Sequence, residues 1–348
     1  MAKKESNSDI RHATMADIAA EVGVSRQLVG IALNGGPGVS AETQAKILTA
    51  AKEMGYRPNL AAQALRRDGS KYIGVVFHTE HSSTNELIPA IYKEAQRLGY
   101  QIVLSAVSHD RDESEAIDEV FGHRCDGLIL VSTSLATLKL KNLATTIPLV
   151  SISRRLTGVR CGVVASKGES GVFDAVEYLV GLGHKAIAYI DPREMLDHEF
   201  RLEGYKTAMD KAKLKPQVIN IQGDFVEAAG ALASEKLLAL PKLPTAVISA
   251  NDQLAFGLVH CLLKAGLKIP QDISVVGYDD TVAKLPFLDL TTIRQDPVEL
   301  AKFAVEDLSD RIRGKKYLSD TVLTSSKLVI RSSTSKPRSV GTDTSFKK

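Results

Sequence analysis

Residues 14–25 read Thr-Met-Ala-Asp-Ile-Ala-Ala-Glu-Val-Gly-Val-Ser, and the spacing in this stretch decides how the N-terminal part of the chain folds. Met15, Ile18, Ala19 and Val22 fall at i, i+3, i+4 and i+7, one apolar stripe of a short helix, with Thr14 placed to cap it and Asp17 three residues later in a box-like position. Gly23 permits a sharp turn. Ser25 is an N-cap for a second helix whose inward residues are expected to be Leu28, Val29, Ala32 and Leu33. Two short helices joined through a glycine fit a helix-turn-helix; on spacing alone an ordinary pair of packed helices fits equally well. Ser40 then caps a third segment, expected to turn Ile47, Leu48, Ala51 and Met54 inward and to stop at Gly55. In such a three-helix unit Arg26 and Gln27 lie on the exposed first turn of the second helix. Arg matches the O6/N7 acceptors of guanine and Gln matches adenine. Either residue alone is more often a plain solvated side chain, and it is the context that raises them.

Beyond Gly55 the chain runs Tyr56-Arg57-Pro58-Asn59-Leu60-Ala61-Ala62-Gln63-Ala64-Leu65. Asn59 can cap a very short alanine-rich helix, too short to be stable alone. It reads either as a plain linker or as a segment ordered on DNA, with Leu65 as an apolar wedge in the minor groove. Near Asp68-Gly69-Ser70 the pattern changes to strict alternation. Apolar runs of strand length recur at Tyr72–Phe77, Gln101–Ser105, Gly127–Val131, Pro148–Ile152, Ala186–Ile190, Val218–Ile221, Ala246–Ala250 and Ile273–Gly277. Near-continuous Val/Ile/Leu runs are what strands covered on both faces require. Between them lie amphipathic segments such as Asn85–Leu98, Glu169–Leu182, Ala228–Leu240 and Asp252–Ala265, several followed by a capping glycine: Gly99, Gly183, Gly266. The fold class that follows is an all-α head on an α/β body of two doubly wound, parallel-sheet lobes, with ligands expected at the carboxyl ends of the strands.

Composition narrows the function classes. A chain of 348 residues that is 44% hydrophobic and 24% charged is globular, and no run reaches the ~20 apolar residues of a bilayer span. Met1–Arg11 is polar with no apolar core of a secretion signal, so a cytoplasmic protein with no membrane partner is expected. Cys125, Cys161 and Cys261 are odd in number and far apart, neither a disulfide ladder nor a zinc pattern. The net charge of +3 hides a distribution: residues 1–70 carry nine Lys/Arg against seven Asp/Glu, 71–333 carry 31 against 33, and 334–348 carry four against one. There is no Gly-x-Gly-x-x-Gly after a strand, P-loop, Gly-x-Ser-x-Gly elbow or His-Glu-x-x-His, so no enzyme, cofactor or metal is expected. His78 and His81 lack a further matched metal ligand.

The ordered combination of motifs resembles the lactose/galactose repressor family of bacterial transcription factors from Thr14 to about Ser333. It rests on the 14–25 stretch, Val39-Ser40…Thr43, Gly55-Tyr56-Arg57-Pro58-Asn59, Leu182-Gly183-His184, Arg201…Gly204-Tyr205, Ala250-Asn251-Asp252, Ile273–Asp280 and Leu290-Thr291-Thr292-Ile293. The resemblance implies a homodimer that binds a pseudo-palindromic double-stranded DNA operator and is gated by a small-molecule effector between two lobes. It implies a head at 12–57, a hinge at 58–70 and a body at 71–333, while the Ser/Thr/Lys-rich composition of the tail at 334–348 reads as disordered. Lobe 1 would take about 71–165 with 297–324, and lobe 2 about 166–296 with 325–333. Thr14, Ser25, Arg26, Gln27, Ile31, Asn34, Tyr56, Asn59, Ala62 and Leu65 match DNA-contacting positions. Ser153, Asp197, Arg201, Phe225, Asn251 and Asp279 match effector positions, Arg201, Asn251 and Asp279 as a polar clamp and Phe225 as a stacking ring; the plain readings are a turn residue for Asp279 and a core ring for Phe225.

The chain also departs from the family. Gly30-Ile31 stands where a serine and an arginine are common, which removes a donor and offers apolar contact to a thymine methyl. Ser153 stands where an acidic sugar ligand is frequent, followed by Arg154 and Arg155, and Lys167-Gly168 replaces an Asp-Asn pair. Those exchanges make a phosphorylated or acidic ligand an alternative to a neutral sugar; the equal alternative is that Lys167 and Arg154 simply face solvent. The rival reading is a cytoplasmic solute-binding or enzymatic α/β protein with a helical accessory domain.

Overall fold

The computed structural model describes residues 13–57, 69–193, 198–222, 227–315 and 321–338. The chain divides after Ser70 into two compact units.

The first unit is built from α1 (Met15–Val22), α2 (Arg26–Leu33) and α3 (Ala41–Glu53). Each start is fixed by a side chain that satisfies an otherwise orphaned amide. Thr14 and Asp17 form a reciprocal capping box, the Ser25 hydroxyl accepts from the Leu28 amide at 3.1 Å, and that of Ser40 from Thr43 at 3.2 Å. Gly23 ends α1 at φ +71°, where any Cβ would be strained. Ile18, Val29 and Ile47 meet at the centre with Ala19, Ala32, Ala50 and Ala51. Leu48, expected to point inward, is 48% exposed. The correct phase of α3 is Ile47, Ala50, Ala51, Met54, and Leu48 lies one residue round the helix from it.

The second unit holds two six-stranded sheets. Sheet one contains β1 (Tyr72–His78), β2 (Gln101–Val107), β3 (Gly127–Val131), β4 (Leu149–Ile152), β5 (Gly162–Ser166) and β11 (Thr321–Thr324), in the order β11-β5-β4-β3-β1-β2 and parallel throughout. Sheet two contains β6 (Ile187–Pro192), β7 (Gln217–Ile221), β8 (Ala246–Ser249), β9 (Ser274–Asp279), β10 (Thr291–Gln295) and β12 (Ser326–Val329), ordered β12-β10-β9-β8-β6-β7. Its strands are parallel except for β12, which runs antiparallel on β10. Both faces of each sheet carry an apolar core, and this is why the central strands β3, β4, β8 and β9 are almost wholly buried.

The helices follow the alternation: α4 (Thr84–Arg97), α5 (Glu113–Gly122) and α6 (Thr137–Thr146) in the first lobe, and α7 (Gly168–Gly181), α8 (His198–Lys211), α9 (Glu227–Leu238) and α10 (Asp252–Lys264) in the second. α11 (Pro297–Ile312) leaves sheet two and packs on sheet one. The chain thus crosses between sheets after β5, β10 and β11. Those after β5 and β11 are tied together, the Lys167 amide donating to the Thr324 carbonyl at 2.9 Å and the Ser326 hydroxyl to the Lys167 carbonyl at 3.1 Å.

The expected disordered tail begins too early at 334. Thr334 bonds to Tyr178 and Thr291 at 2.9 Å each, the Ser335 amide donates to Ser274 at 3.1 Å, and Arg338 donates to the Leu243 carbonyl at 3.0 Å. These bonds tie residues 334–338 to the second lobe; polar composition alone gave no sign of partners this far away in sequence. Residues 339–348 lie outside the described residues, as does the expected hinge helix.

Candidate functional sites: a helical recognition face and an interlobe cleft

In the first unit Arg26, Gln27, Gly30, Ile31 and Asn34 line one side of α2 and border an open hollow of about 660 Å³ with Met15, Gly36 and Pro37. A Cβ at Gly30 would lie 3.9 Å from the Met15 sulfur, so the missing side chain leaves an apolar floor flanked by the Arg26 and Gln27 donors. Asn34 turns its amide back on the helix, donating to the Gly30 carbonyl at 2.7 Å. Thr14 and Ser25 sit at the caps of α1 and α2, and Tyr56 packs into the head's core, its amide donating to the Ala51 carbonyl at 2.8 Å. Asn59, Ala62 and Leu65 lie outside the described residues.

In the second unit the carboxyl ends of the two sheets face each other. Two matched effector positions adopt left-handed backbone where their strands end: Ser153 after β4 at φ +67° and Asp279 at the end of β9 at φ +108°. Side chains avoid this region, and such strain collects at functional turns. The cleft between the lobes is lined by Ser153, Arg155, Ser166, Phe200, Arg201 and Tyr278, with Ala165, Gly168 and Gln295. Arg201 stacks its guanidinium 3.6 Å above the Tyr278 ring and donates to the Ala250 carbonyl. Gly168 allows this approach, because a Cβ there would press on Arg201 at 3.0 Å and on the Tyr278 hydroxyl at 3.3 Å. Tyr278 in turn shares a 2.8 Å hydrogen bond with Ser166 of the other sheet. Asp279 bonds to Gln295 rather than lining the cleft directly. Asn251 is 3% exposed and accepts from the Leu254 amide at 2.8 Å as the cap of α10. Asp197 and Phe225 lie outside the described residues.

Phe200, Ser166, Tyr278 and Gln295 escaped the sequence reading as cleft residues, and Arg155 entered it only as a cation beside Ser153. Of the two readings of the cations, a surplus in the cleft or side chains facing solvent, only Lys167 follows the second. Arg154 instead donates to the Thr133 and Leu135 carbonyls at 3.0 and 2.6 Å, Lys167 is exposed, and Arg155 pairs with Glu169 at 2.6 Å. The charge exchange seen in the sequence therefore supplies no bare anion site. The remaining space is about 20 Å³, room for a single water rather than a sugar. The lobes are closed on one another. Farther along the cleft the loop after β1 reaches across: the Ser82 amide donates to Gln253 at 3.0 Å, Gln253 to the Glu80 carbonyl at 2.9 Å, and Ser82 and Thr281 share a 2.9 Å hydroxyl contact. His78 and His81 stack in the same loop with ring centres 5.0 Å apart, and burial, then the neighbouring His78, pushes His81 down to about 4.

Electrostatics behind the cleft are dominated by buried carboxyls. Burial, then Asp279, raises Asp252 to about 7, although the Thr292 hydroxyl and the Thr281 amide donate to it at 2.6 and 2.7 Å. Burial likewise raises Asp279 to about 6 against the pull of Arg201 and Gln295. A carboxyl that holds its proton more tightly when folded contributes stability that is full below its unfolded value near 4 and is lost as pH rises through its folded value. Asp252→Asn is therefore expected to flatten the fall in stability between pH 5 and pH 8, by on the order of 2–4 kcal/mol. Denaturant unfolding of both proteins at the two pH values checks this; parallel slopes would refute it.

Residues 14–59 match the model described as "Bacterial regulatory proteins, lacI family", and residues 176–334 match "Periplasmic binding protein-like domain". The chain is 32% identical over 333 residues to the HTH-type transcriptional repressor CytR of Escherichia coli K12, covering 92% of this chain and 96% of that protein. It is 33% identical over 310 residues to the ribose operon repressor of the same strain, covering 86% and 93%. Among solved structures, the lac repressor dimer bound to operator and the anti-inducer ONPF superposes with a TM-score of 0.81 at 30% identity, covering 93% of this chain and all of that one. Among the described residues no group of three His, Cys, Asp or Glu is arranged to hold a metal, and no helix is long and apolar enough to cross a membrane.

Proposed function

The chain belongs to the lacI family of bacterial regulatory proteins, and from that premise we propose that it is a sequence-specific transcriptional repressor that binds a pseudo-palindromic operator as a homodimer and is gated by a small molecule held between its lobes. It acts by binding rather than catalysis and works in the cytoplasm. The observation that carries the reading is the exposed Arg26–Gln27 pair on the first turn of α2, above a floor opened by Gly30, in a head whose three helix starts are all capped. Arg26 and Gln27 supply the base-edge donors and Ile31 an apolar contact. Asn59, Ala62 and Leu65 are the hinge contacts that the resemblance implies.

The effector is assigned to the cleft of Ser153 and Arg201, with Asp279 behind it on Gln295, Asn251 holding the start of α10, Asp197 and Phe225 completing the matched positions, and a sugar or related metabolite as ligand. Because the empty space there is only about 20 Å³, a ligand must part the lobes to enter. Such motion can couple cleft to head with a free energy of ~1–3 kcal/mol.

The test is selection of duplexes from a random pool, followed by titration of the winner against scrambled DNA. A palindromic consensus bound with salt-sensitive preference is expected, along with release or tightening by a member of a panel of sugars and sugar phosphates. Equal affinity for selected and scrambled duplexes would overturn the regulator reading. The head carries only two net positive charges, so a shallow salt slope should accompany specific binding.

A further inference from the structure

The cleft is filled by one of the chain's own side chains. Arg155 lies between β4 and β5 in the first lobe, and its guanidinium stacks 3.8 Å from the ring of Phe200 on α8 of the second lobe. One edge of the same group donates to Glu169 on α7 at 2.6 Å and to the Ser166 carbonyl at 3.0 Å. The Arg155 side chain is 15% exposed and Glu169 33%. A flat aromatic face below, a carboxylate and a carbonyl at the edge, and shelter from bulk water are what a planar, donor-rich cation requires.

We propose that Phe200, Glu169 and the Ser166 carbonyl form a guanidinium-binding subsite, and that Arg155 occupies it as an internal ligand that latches the lobes closed. This deepens the reading of the cleft as the effector site and rests on it. An effector enters by displacing Arg155, so the part of the effector that takes its place is a flat group with N–H donors, such as an amidine or an amino-substituted ring. A bare anion is disfavoured there because it would meet Glu169.

Other cationic contacts lack this combination. Arg201 also stacks on an aromatic, but it comes from the same lobe as its Tyr278 platform and so bridges nothing by that contact. Lys284 and Glu86 join the lobes at 2.5 Å, but both are more than a third exposed and neither enters the cleft. Arg155 alone of the three both spans the lobes and fills the space a ligand would need.

The test needs neither operator nor effector, so its failure would leave the repressor reading standing. Full-length Arg155→Ala is compared with wild type by hydrogen exchange of the segment 166–171. There the amides of Ser170 and Gly171 are held by the Lys167 carbonyl, 3.1 and 3.2 Å away. Exchange is expected to rise several-fold as the lobes part. Guanidinium chloride at millimolar concentration, far below the denaturing range, should return most of the protection by filling the vacated subsite, and neutral isosteric urea should not. Arg155→Ala/Glu169→Gln should open equally and show no rescue. Circular dichroism confirms that the variants fold, and Glu169→Gln alone gives a second, milder opening should Arg155→Ala express poorly. Unchanged exchange in both single variants would overturn the latch. Opening without guanidinium rescue, or rescue that persists in the double variant, would overturn the subsite.

Discussion

Gly257→Val is expected to abolish the folded second lobe. α9 and α10 cross with their backbones in contact. A Cβ on Gly257 would lie 2.0 Å from the Glu227 carbonyl oxygen, and one on Gly230 would lie 2.4 Å from both the Leu254 oxygen and the Leu258 nitrogen. These obstacles are main chain, so no rotamer change relieves them, and one helix must move. Overpacking of this kind costs roughly 1–3 kcal/mol when side chains can yield and more when they cannot. Against a total of about 5–15 kcal/mol, a branched side chain at this crossing leaves little folded protein. The contrast is Gly181, also helical, around which an added Cβ meets nothing within 4 Å. Gly181→Ala should be neutral or stabilising by about 0.5–1 kcal/mol through the unfolded chain. Thermal melts of the two variants check both signs. A soluble Gly257→Val that melts like wild type would show that the helices are not in backbone contact.

Mid-helix glycines of this type mark the limit of what sequence pattern reveals. Gly204, Gly230 and Gly257 read as weak helix formers, and only the facing helix shows why a side chain is excluded: a Cβ on Gly204 would meet the Glu169 carbonyl at 2.1 Å. The head was legible because its signals are local. Thr14, Ser25 and Ser40 act on amides three residues away, and the apolar stripes of α1 to α3 lie within single turns. Among the internal strands β5 and β10 were passed over, β10 carrying the buried Thr291 and Thr292 in place of an apolar run, while β1, β3, β4, β6, β8 and β9 were legible because burial on both faces leaves mainly apolar residues. β11 and β12 were not, since Thr321–Thr324 and Ser326–Val329 are short, polar edge strands whose partners lie far back in the chain.

The cleft divides along the same line. Ser153 and Arg201 came from position-by-position resemblance, and the structure sets both on the cleft wall. Arg155 and Phe200 meet only because two lobes close, and no spacing in sequence encodes a contact across a hinge. Arg154, Arg155 and Lys167 counted as three cations in the sequence. Partners close in space then assign Arg154 to two carbonyls of its own lobe and Arg155 to a carboxylate of the other. A charge count along the chain measures composition, whereas ligand charge preference depends on which charges remain after internal pairing.

Arg26→Ala is expected to weaken operator binding by roughly 30-fold to 10⁴-fold while leaving the head folded. Arg26 is the first residue of α2 and exposed; the cap comes from Ser25 and the core contact from Val29, so removing the guanidinium subtracts nothing from the helix that holds it. A bidentate Arg–guanine pair is worth about 1–3 kcal/mol of base discrimination. A homodimer presents the residue to both half-sites, which doubles the loss to about 2–6 kcal/mol and gives the stated range at about 1.4 kcal/mol per factor of ten. The loss should fall on the selected palindrome and hardly touch scrambled duplex, and the slope of log affinity against log salt should stay nearly constant. A residue that contacts phosphate behaves oppositely: its removal lowers affinity for all sequences alike and reduces the slope by about 0.9 for each phosphate released. Titrations of wild type and variant on both duplexes over a range of salt separate the two. Equal losses on selected and scrambled DNA, with a shallower slope, would make Arg26 a backbone contact and move base reading on α2 to Gln27 and Ile31.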